Sequence, residues 1–498
     1  MGKLTDKVAR GVFWVLLEKF GIQAAHFVVT LVLARLLTPN DYGTVALLSI
    51  FISLSNLLVD CGFGKALVQK KDATQTDYNS VFYLSMAIAA VLYAGLFLGA
   101  PLVARFYNVP ELKSMLRILA LSLIFHSING VQNVELNRKM LFKLSFRVSW
   151  ARVIVSSVTG VALAFAGFGP WALVYASLAG GVTGVVARQL VIRWRPSLSF
   201  SWESIRGLFC FGWKMAAAGF LTKAYNELYG LLIGKFYARA DLAFVKKGNH
   251  IPKMLGSTAD GTLARVSFSA LVRLQDDPKR LRNAMRRMIT CSTFVMFPLM
   301  ACLGLVAEPL IGLLYGERWL PAAPYVQITC FAMAFRPFDT INLQAISARG
   351  RSDIYLKLVV FRRIVGLAVM AIALPKGVMT FMVSLAVALG PFGIVVNSLP
   401  NQRLLKYSIL MQLRDVMPSL ALTAVMSAFI LGVGRLPVSR EALLFPQVAL
   451  GFAIYAALAV AMRMRPVAEL ASMLLPRARK VSPRLAAPVE WLQRRCSA

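Results

Sequence analysis

About fourteen stretches of ~20 mostly apolar residues succeed one another along the 498-residue chain, each long enough to cross a ~30 Å hydrocarbon core. They lie near residues 12–34, 43–64, 79–104, 112–137, 148–166, 170–192, 208–234, 241–264, 288–307, 321–347, 355–374, 378–399, 415–434 and 442–462. In lipid every backbone amide must be satisfied within the spanning structure, which leaves helices or a closed barrel. Barrel strands would read as ~10-residue alternating segments, whereas these runs are long and continuously apolar. The expected fold is therefore an all-α polytopic membrane protein, and a composition 58% hydrophobic and 15% charged agrees with it. The first run is too long for a signal core and carries Glu18, Lys19 and His26, so the N-terminus is expected to stay attached as the first span.

The chain also repeats itself. Leu33-Ala34-Arg35-Leu36-Leu37-Thr38-Pro39-Asn40-Asp41-Tyr42-Gly43 and Ile233-Gly234-Lys235-Phe236-Tyr237-Ala238-Arg239-Ala240-Asp241-Leu242-Ala243 each end one apolar helix and begin another, 200 residues apart. Arg35 aligns with Lys235, Asp41 with Asp241 and Val45 with Val245. Further on, Pro101-Leu102 with Tyr107 recurs as Pro309-Leu310 with Tyr315 at an offset of 208. Two matches in the same order at nearly equal offsets indicate a duplicated membrane unit.

A formal net charge of +33 in a soluble chain would suggest nucleic acid. Here the bases follow the loops instead. With a cytoplasmic N-terminus, about 37 Lys and Arg fall in inner segments and about nine in outer loops, as the positive-inside rule requires. This places both termini in the cytoplasm and excludes nucleic acid as a partner. The inner Arg-rich loops and Arg477-Ala478-Arg479-Lys480 in the tail suit anionic headgroups, at about 1 kcal/mol per base.

The remaining bases lie within expected spans: Lys19, Arg117, Arg152, Lys214, Lys223, Lys246, Lys247, Lys253 and Arg336. A central charge costs about 2.5–3.5 kcal/mol on insertion scales, so it faces a wet cavity or a partner. Arg117, Arg152 and Lys214 stand near span ends and read as snorkelling side chains. The others follow helical spacing. Lys19, Gln23, His26 and Thr30 share one face of the first span, and Ser49, Ser53, Asn56 and Asp60 share one face of the second. Lys223, Asn226 and Glu227 mark the seventh span; Lys246, Asn249 or His250, Lys253, Ser257 and Asp260 mark the eighth. The 200-residue offset lays Gln23 on Lys223, His26 on Asn226, Ser53 on Lys253 and Asp60 on Asp260. The simplest expectation turns all four stripes inward around a central cavity. Interhelical hydrogen bonding would account for the small polar residues but not for three lysines within two turns.

Catalytic chemistry leaves no trace: there is no phosphate loop, His-Glu metal motif, nucleophile elbow or dinucleotide fingerprint. The histidines, at 26, 126 and 250, are sparse, and the six cysteines are scattered without paired spacing. The chain is read as a transporter with no cofactor and no bound metal.

Several motifs then carry a resemblance. The Leu33–Gly43 element, Asp60-Cys61-Gly62-Phe63-Gly64-Lys65-Ala66-Leu67-Val68-Gln69, Gly169-Pro170-Trp171-Ala172-Leu173, Arg273-Leu274-Gln275-Asp276-Asp277-Pro278 and Leu314-Tyr315-Gly316-Glu317-Arg318-Trp319 are together similar to the Wzx-type polysaccharide flippases. The likeness includes the exporter-like subgroup associated with colanic acid and other exopolysaccharides. It implies the multidrug, oligosaccharidyl-lipid and polysaccharide exporter superfamily: two pseudo-symmetric six-helix lobes at residues 1–200 and 201–402, two further helices at 403–464, and a basic tail at 465–498. The implied cargo is an undecaprenyl-diphosphate-linked oligosaccharide repeat unit, flipped from the cytoplasmic to the periplasmic leaflet of a bacterial inner membrane for exopolysaccharide, capsule or O-antigen synthesis. A polymerase or export assembly is the implied neighbour. The chain departs from the family pattern at Lys246-Lys247-Gly248-Asn249-His250, where Tyr-Ser or Tyr-Asn is usual.

On that reading Lys19, Lys223, Lys246, Lys247, His250 and Lys253 bind phosphate or sugar, with Gln23, His26, Asn56 and Asn226 lining the same cavity. Asp60, Glu227 and Asp260 serve either as charge partners of the lysines or in coupling to a proton or sodium gradient or the membrane potential. A peptidoglycan-precursor flippase would share the fold and differ only in cargo. A drug or cation antiporter would favour acids in its cavity, and a polysaccharide polymerase would need a large extramembrane loop. As for the motifs, Pro39 and Gly43 are expected to close a tight turn that Asp41 caps, and Asp277-Pro278 to start an inner helix.

Overall fold

The computed structural model describes residues 2–70, 72–139, 141–191, 195–434, 440–481 and 483–497, and these form helices and turns without strands. Side chains at some helical positions, including Lys19, Lys214 and Asp260, lie outside the described residues. Contacts divide the chain into two compact units, Met1–Ala243 and Phe244–Ala498.

Unit 1 begins with the hairpin α1 (Gly2–Leu36) and α2 (Pro39–Asp60), followed by a short α3 (Phe63–Gln69) and a long α4 (Gln75–Tyr107). Next come α5 (Glu111–Leu119), α6 (Ser122–Arg138), α7 (Phe142–Phe165), α8 (Trp171–Val191) and α9 (Trp202–Phe236). Helix α10 (Arg239–Val272) opens in unit 1 and continues in unit 2. Although the repeat makes α9 the counterpart of α1, α9 packs on α2, α3 and α4 and so belongs to unit 1 by contact. Phe63, Leu67, Val81, Val131 and Leu208 form a shared buried core there.

Unit 2 continues with α11 (Pro278–Leu305), α12 (Ala307–Tyr315), a 3-10 turn (Glu317–Ala322), α13 (Ala323–Ala334), α14 (Arg336–Ala348) and α15 (Ser352–Ala373). It closes with α16 (Val378–Leu389), α17 (Pro391–Leu405), α18 (Ile409–Val433), α19 (Arg440–Ala461), α20 (Arg465–Val481) and α21 (Pro483–Ser497). Its main core gathers Leu281, Met285, Ile289, Phe297, Phe338, Ile341 and Tyr407 from α11, α14 and the chain before α18.

Ten helical segments among the described residues are long and apolar enough to span a membrane, and Phe20–Leu36 is a shorter apolar helix. The remaining expected spans fall on α9, on α10 and on the pair α13–α14, broken at Phe335. The chain is an all-α, multi-pass membrane protein.

The two repeated sequence elements start their helices with related caps. Thr38 and Asp41 form a reciprocal capping box: Thr38 Oγ1 accepts from the Asp41 N–H at 3.2 Å, and the Asp41 carboxylate accepts from the Thr38 N–H at 2.8 Å. In the second copy Asp241 accepts from the Ala238 N–H at 3.2 Å, the half of the box that survives without a hydroxyl at 238. Asp277 caps α11 with Pro278 at its first position, as expected, accepting from the Lys279 and Arg280 N–H groups at 3.0 Å each. Those donors, the Arg280 N–H foremost, hold the Asp277 carboxyl below its usual range.

Gly43 does something other than close the turn. A Cβ there would collide with the backbone carbonyl of Arg239 and lie 2.9 Å from the Arg239 Cβ. Gly234 meets the Leu47 side chain in the same manner. The two repeated elements therefore touch backbone to backbone within unit 1, and Arg239 Nη1 donates to Thr44 Oγ1 at 2.8 Å across the contact.

Candidate functional site

The polar stripes of the sequence lie on α1, α2, α9 and α10, and their residues differ in exposure and in partners. In unit 1, Gln23, Thr30, Ser53 and Asn56 are half-buried while His26, Ser49 and Asp60 are exposed. Ser49 and Ser53 turn their hydroxyls back onto the Val45 and Ile50 carbonyls at 2.7 and 3.0 Å, so these two act as helix-satisfied small polar groups. Asn56 Oδ1 is buried with no hydrogen-bond partner among the described residues, and an unmet acceptor on this face suits a ligand.

Asp60 was expected either to partner a lysine or to serve in coupling. Its carboxylate meets His126 Nε2 on α6 at 3.0 Å. Lys223 and Glu227, one turn apart on α9, pair at 3.2 Å, leaving Asn226 exposed on the same helix. The α9 face is therefore close to neutral and rich in donors.

The cationic face lies on α10. Lys246, His250, Lys253 and Ser257 follow at i, i+4, i+7 and i+11, with His250, Lys253 and Ser257 exposed and Lys246 half-buried. Lys247 is rotated away from this face. It is 7% exposed, and its ammonium lies 5.2 Å from the Tyr315 ring centre and 5.5 Å from that of Trp319. The two ring faces line the buried amine. Asn249, its neighbour, is buried against Thr329, whose hydroxyl donates to Asn249 Oδ1. Lys247 and Asn249 thus knit α10 to the 3-10 turn and α13, and the face is built from Lys246, His250 and Lys253.

The motifs behind the family resemblance have structural tasks. Tyr315 and Trp319, on either side of Gly316, enclose Lys247. Phe63, Ala66 and Leu67 are the buried side of α3. Gly167 and Gly169 adopt φ of +80° and +54° in the α7–α8 turn. Arg349 Nη1 donates to the Gln275 carbonyl at 2.7 Å, pinning the turn before α11.

Two polar clusters are invisible in the spacing of the sequence. In unit 1 the Glu18 carboxylate accepts from Ser145 and Ser149 of α7 at 3.2 and 2.7 Å. Nearby Arg188, 9% exposed, donates to Asn129 on α6, and Arg152 and Glu18 lie close enough to act on its charge. In unit 2, Arg362 Nη2 donates to Asp339 Oδ2 at 2.7 Å while Asn397 Nδ2 donates to Asp339 Oδ1 at 2.9 Å. Beside it the fully buried amides Asn342, Asn401 and Gln412 tie α14, α17 and α18 together at 2.8 to 3.2 Å. Arg188 and Arg362, which a loop count assigns to inner segments, are helix residues held by Asn129 and by the buried Asp339.

A family described as polysaccharide biosynthesis protein matches residues 32–324, which is more than half of the chain and takes in the polar faces of α2, α9 and α10. The chain belongs to the polysaccharide biosynthesis protein family. Among curated relatives of this family member, the succinoglycan biosynthesis transport protein ExoT of Rhizobium meliloti (strain 1021) is 26% identical over 317 residues. That match spans 64% of each chain, just under two thirds of the relative's length. The teichuronic acid biosynthesis protein TuaB of Bacillus subtilis (strain 168) is 23% identical, over 71% of this chain and 74% of the relative. The lipopolysaccharide biosynthesis protein WzxC of Escherichia coli (strain K12) is 21% identical, over 72% and 73%. Among solved structures, the fold is similar to the lipid II flippase MurJ in an inward closed conformation, with a TM-score of 0.71, 12% identity, and 91% of this chain and 98% of that one covered. An inward-facing multidrug resistance MATE family transporter of the MOP superfamily gives a TM-score of 0.57 at 14% identity, covering 80% and 95%. At these identities the structures establish a shared fold.

Proposed function

We propose that the protein flips undecaprenyl-diphosphate-linked oligosaccharide repeat units from the cytoplasmic to the periplasmic leaflet of a bacterial inner membrane, supplying polysaccharide synthesis. The observation that carries this reading is a cationic helical face, Lys246, His250 and Lys253, inside a membrane protein of a polysaccharide biosynthesis family. A diphosphate carries about two negative charges, and stripping its water without partners would cost many kcal/mol. Lysine ammonium groups with freely turning donors meet that need without demanding one geometry. Gln23, His26, Asn56, Asn226 and the Lys223–Glu227 pair, on α1, α2 and α9, suit sugar hydroxyls.

Transport follows if the faces are presented to one leaflet and then to the other while the polyprenyl tail stays in hydrocarbon. Asp60 with His126, and Glu227 with Lys223, are the described carboxylates able to exchange a proton or a cation during that cycle. Both termini are assigned to the cytoplasm, where the basic segments face anionic lipid. A peptidoglycan-precursor flippase would use the same fold; the relatives named for succinoglycan, teichuronic acid and lipopolysaccharide synthesis favour a polysaccharide repeat unit. A cation antiporter fits poorly with lysines on α10.

The test is Lys246→Ala with Lys253→Ala. Their helical positions are not core positions, so protein levels should hold while export per molecule falls about tenfold, equivalent to ~1.4 kcal/mol of lost binding. Lys247→Met, which keeps a long side chain between Tyr315 and Trp319, should leave export near the unmodified level. Full export by the double variant would defeat the assignment of the cationic face.

A further inference from the structure

The last two helices of unit 2 enclose a space that the transport reading does not use. Between α11, α19, α20 and α21 lies a cavity of about 810 Å³, within the ~300–1,000 Å³ typical of small-molecule sites. Its wall is hydrocarbon from Phe294, Val295, Phe452, Leu470, Val489 and Leu492. The Tyr455 hydroxyl in the wall already donates to the Phe294 carbonyl at 2.8 Å, so it asks nothing of a ligand. None of the polar-face residues of α10 lines the cavity.

Its openings and charge are asymmetric. Val295 is 47% exposed, and Ala456 and Ala457 are also exposed, so the cavity opens on the flank of two span-length helices, where the surrounding medium is lipid chain. Among the described residues one charged side chain, Arg495, completes the wall, with its guanidinium 4.9 Å above the Trp491 ring centre. An exposed Trp paired with Arg is the arrangement of a headgroup-level anchor, apolar below and charged above. From Arg465 to Ser497 seven bases stand against two acids, and one of those acids, Glu469, is held by Arg287 at 2.7 Å.

We propose that this cavity is a binding site for an anionic bilayer phospholipid, with a hydrocarbon chain between α11, α19 and α21 and its phosphate at Arg495. The Arg495 guanidinium at the rim suits the charge of a phosphodiester. A diphosphate-linked glycan would bring more charge and a large polar head to a wall of Val, Leu, Phe and Ala. The site thereby ties the two tail helices to lipid of one charge class.

The experiment uses the full-length protein, purified in detergent and stripped of lipid, with native mass spectrometry during titration of dioleoylphosphatidylglycerol or dioleoylphosphatidylethanolamine. The unmodified protein should retain the anionic lipid about fivefold more strongly, as expected for one base beside one headgroup charge. Arg495→Gln should bring the anionic lipid down to the level of the zwitterionic one. Ala457→Trp, at an exposed position, should fill the cavity and lower retention of both, with thermal unfolding unchanged in each variant. Equal retention of the two lipids by the unmodified protein, or undiminished phosphatidylglycerol in both variants, would overturn the proposal. So would a polyprenyl phosphate that displaces phosphatidylglycerol and is itself lost in Ala457→Trp.

Discussion

Arg362→Ala is expected to cost the protein about 3–5 kcal/mol, enough to remove most of the folded form from the membrane. Arg362 and Asp339 pair at 2.7 Å, with side chains only 16% and 5% exposed. Alanine removes the cation that donates to Asp339 Oδ2 and leaves the buried carboxylate with the Asn397 amide and the more distant charge of Arg336. The attraction lost is the smaller part of the effect; most of it is the cost of a buried charge that has lost its main partner. Removing both charges should therefore do less harm than removing one. Asp339→Asn combined with Arg362→Met is expected to recover much of the thermal stability that Arg362→Ala loses, measured on protein purified in detergent. A single Arg362→Ala variant as stable as the unmodified protein would show that the pair is not what fixes α15 to α14.

A side chain at Gly43 is expected to be nearly as damaging. In Gly43→Ala the new methyl group meets the Arg239 carbonyl, part of a backbone that cannot rotate away, and separating the two also strains the Arg239 to Thr44 hydrogen bond. Overpacking of this kind costs about 1–3 kcal/mol, and a larger residue such as Leu would exceed that range. Gly234→Ala supplies the internal comparison. Its methyl meets the terminal carbons of Leu47, a side chain with torsions to adjust, so a smaller loss is expected. Thermal unfolding of the two variants should rank Gly43→Ala below Gly234→Ala. The reverse order would mean that the close approach of Gly43 to Arg239 is not a constraint on the folded protein.

The helices and their repeat were legible because both are local. Apolar length marks a span, and the capping residues Thr38, Asp41, Asp241 and Asp277 sit where their types lead one to expect. The polar faces were legible for the same reason, since a spacing of three or four residues defines a stripe. What spacing cannot supply is the direction of the stripe's neighbours. One residue along a helix is a rotation of ~100°, and that single step separates Lys246 from Lys247, which lies between Tyr315 and Trp319. Partners distant in sequence were equally hidden. A basic residue near a span end reads as a loop or snorkelling charge, and only packing distinguishes it from Arg362 against Asp339 or Arg188 against Asn129. His126, taken from the sequence as one of three sparse histidines, acquires meaning only through Asp60, 66 residues away.

The most direct test of the whole account is where the cargo lies when the protein is missing. Cells lacking the gene should accumulate the lipid-linked repeat unit, and a membrane-impermeant probe applied to intact spheroplasts should fail to reach it, because it is held in the cytoplasmic leaflet. Restoring the gene should expose the unit to the probe, and the Lys246→Ala, Lys253→Ala variant should restore about a tenth of that exposure, equivalent to ~1.4 kcal/mol. A lipid-linked unit equally accessible to the probe with and without the gene would contradict the flippase assignment.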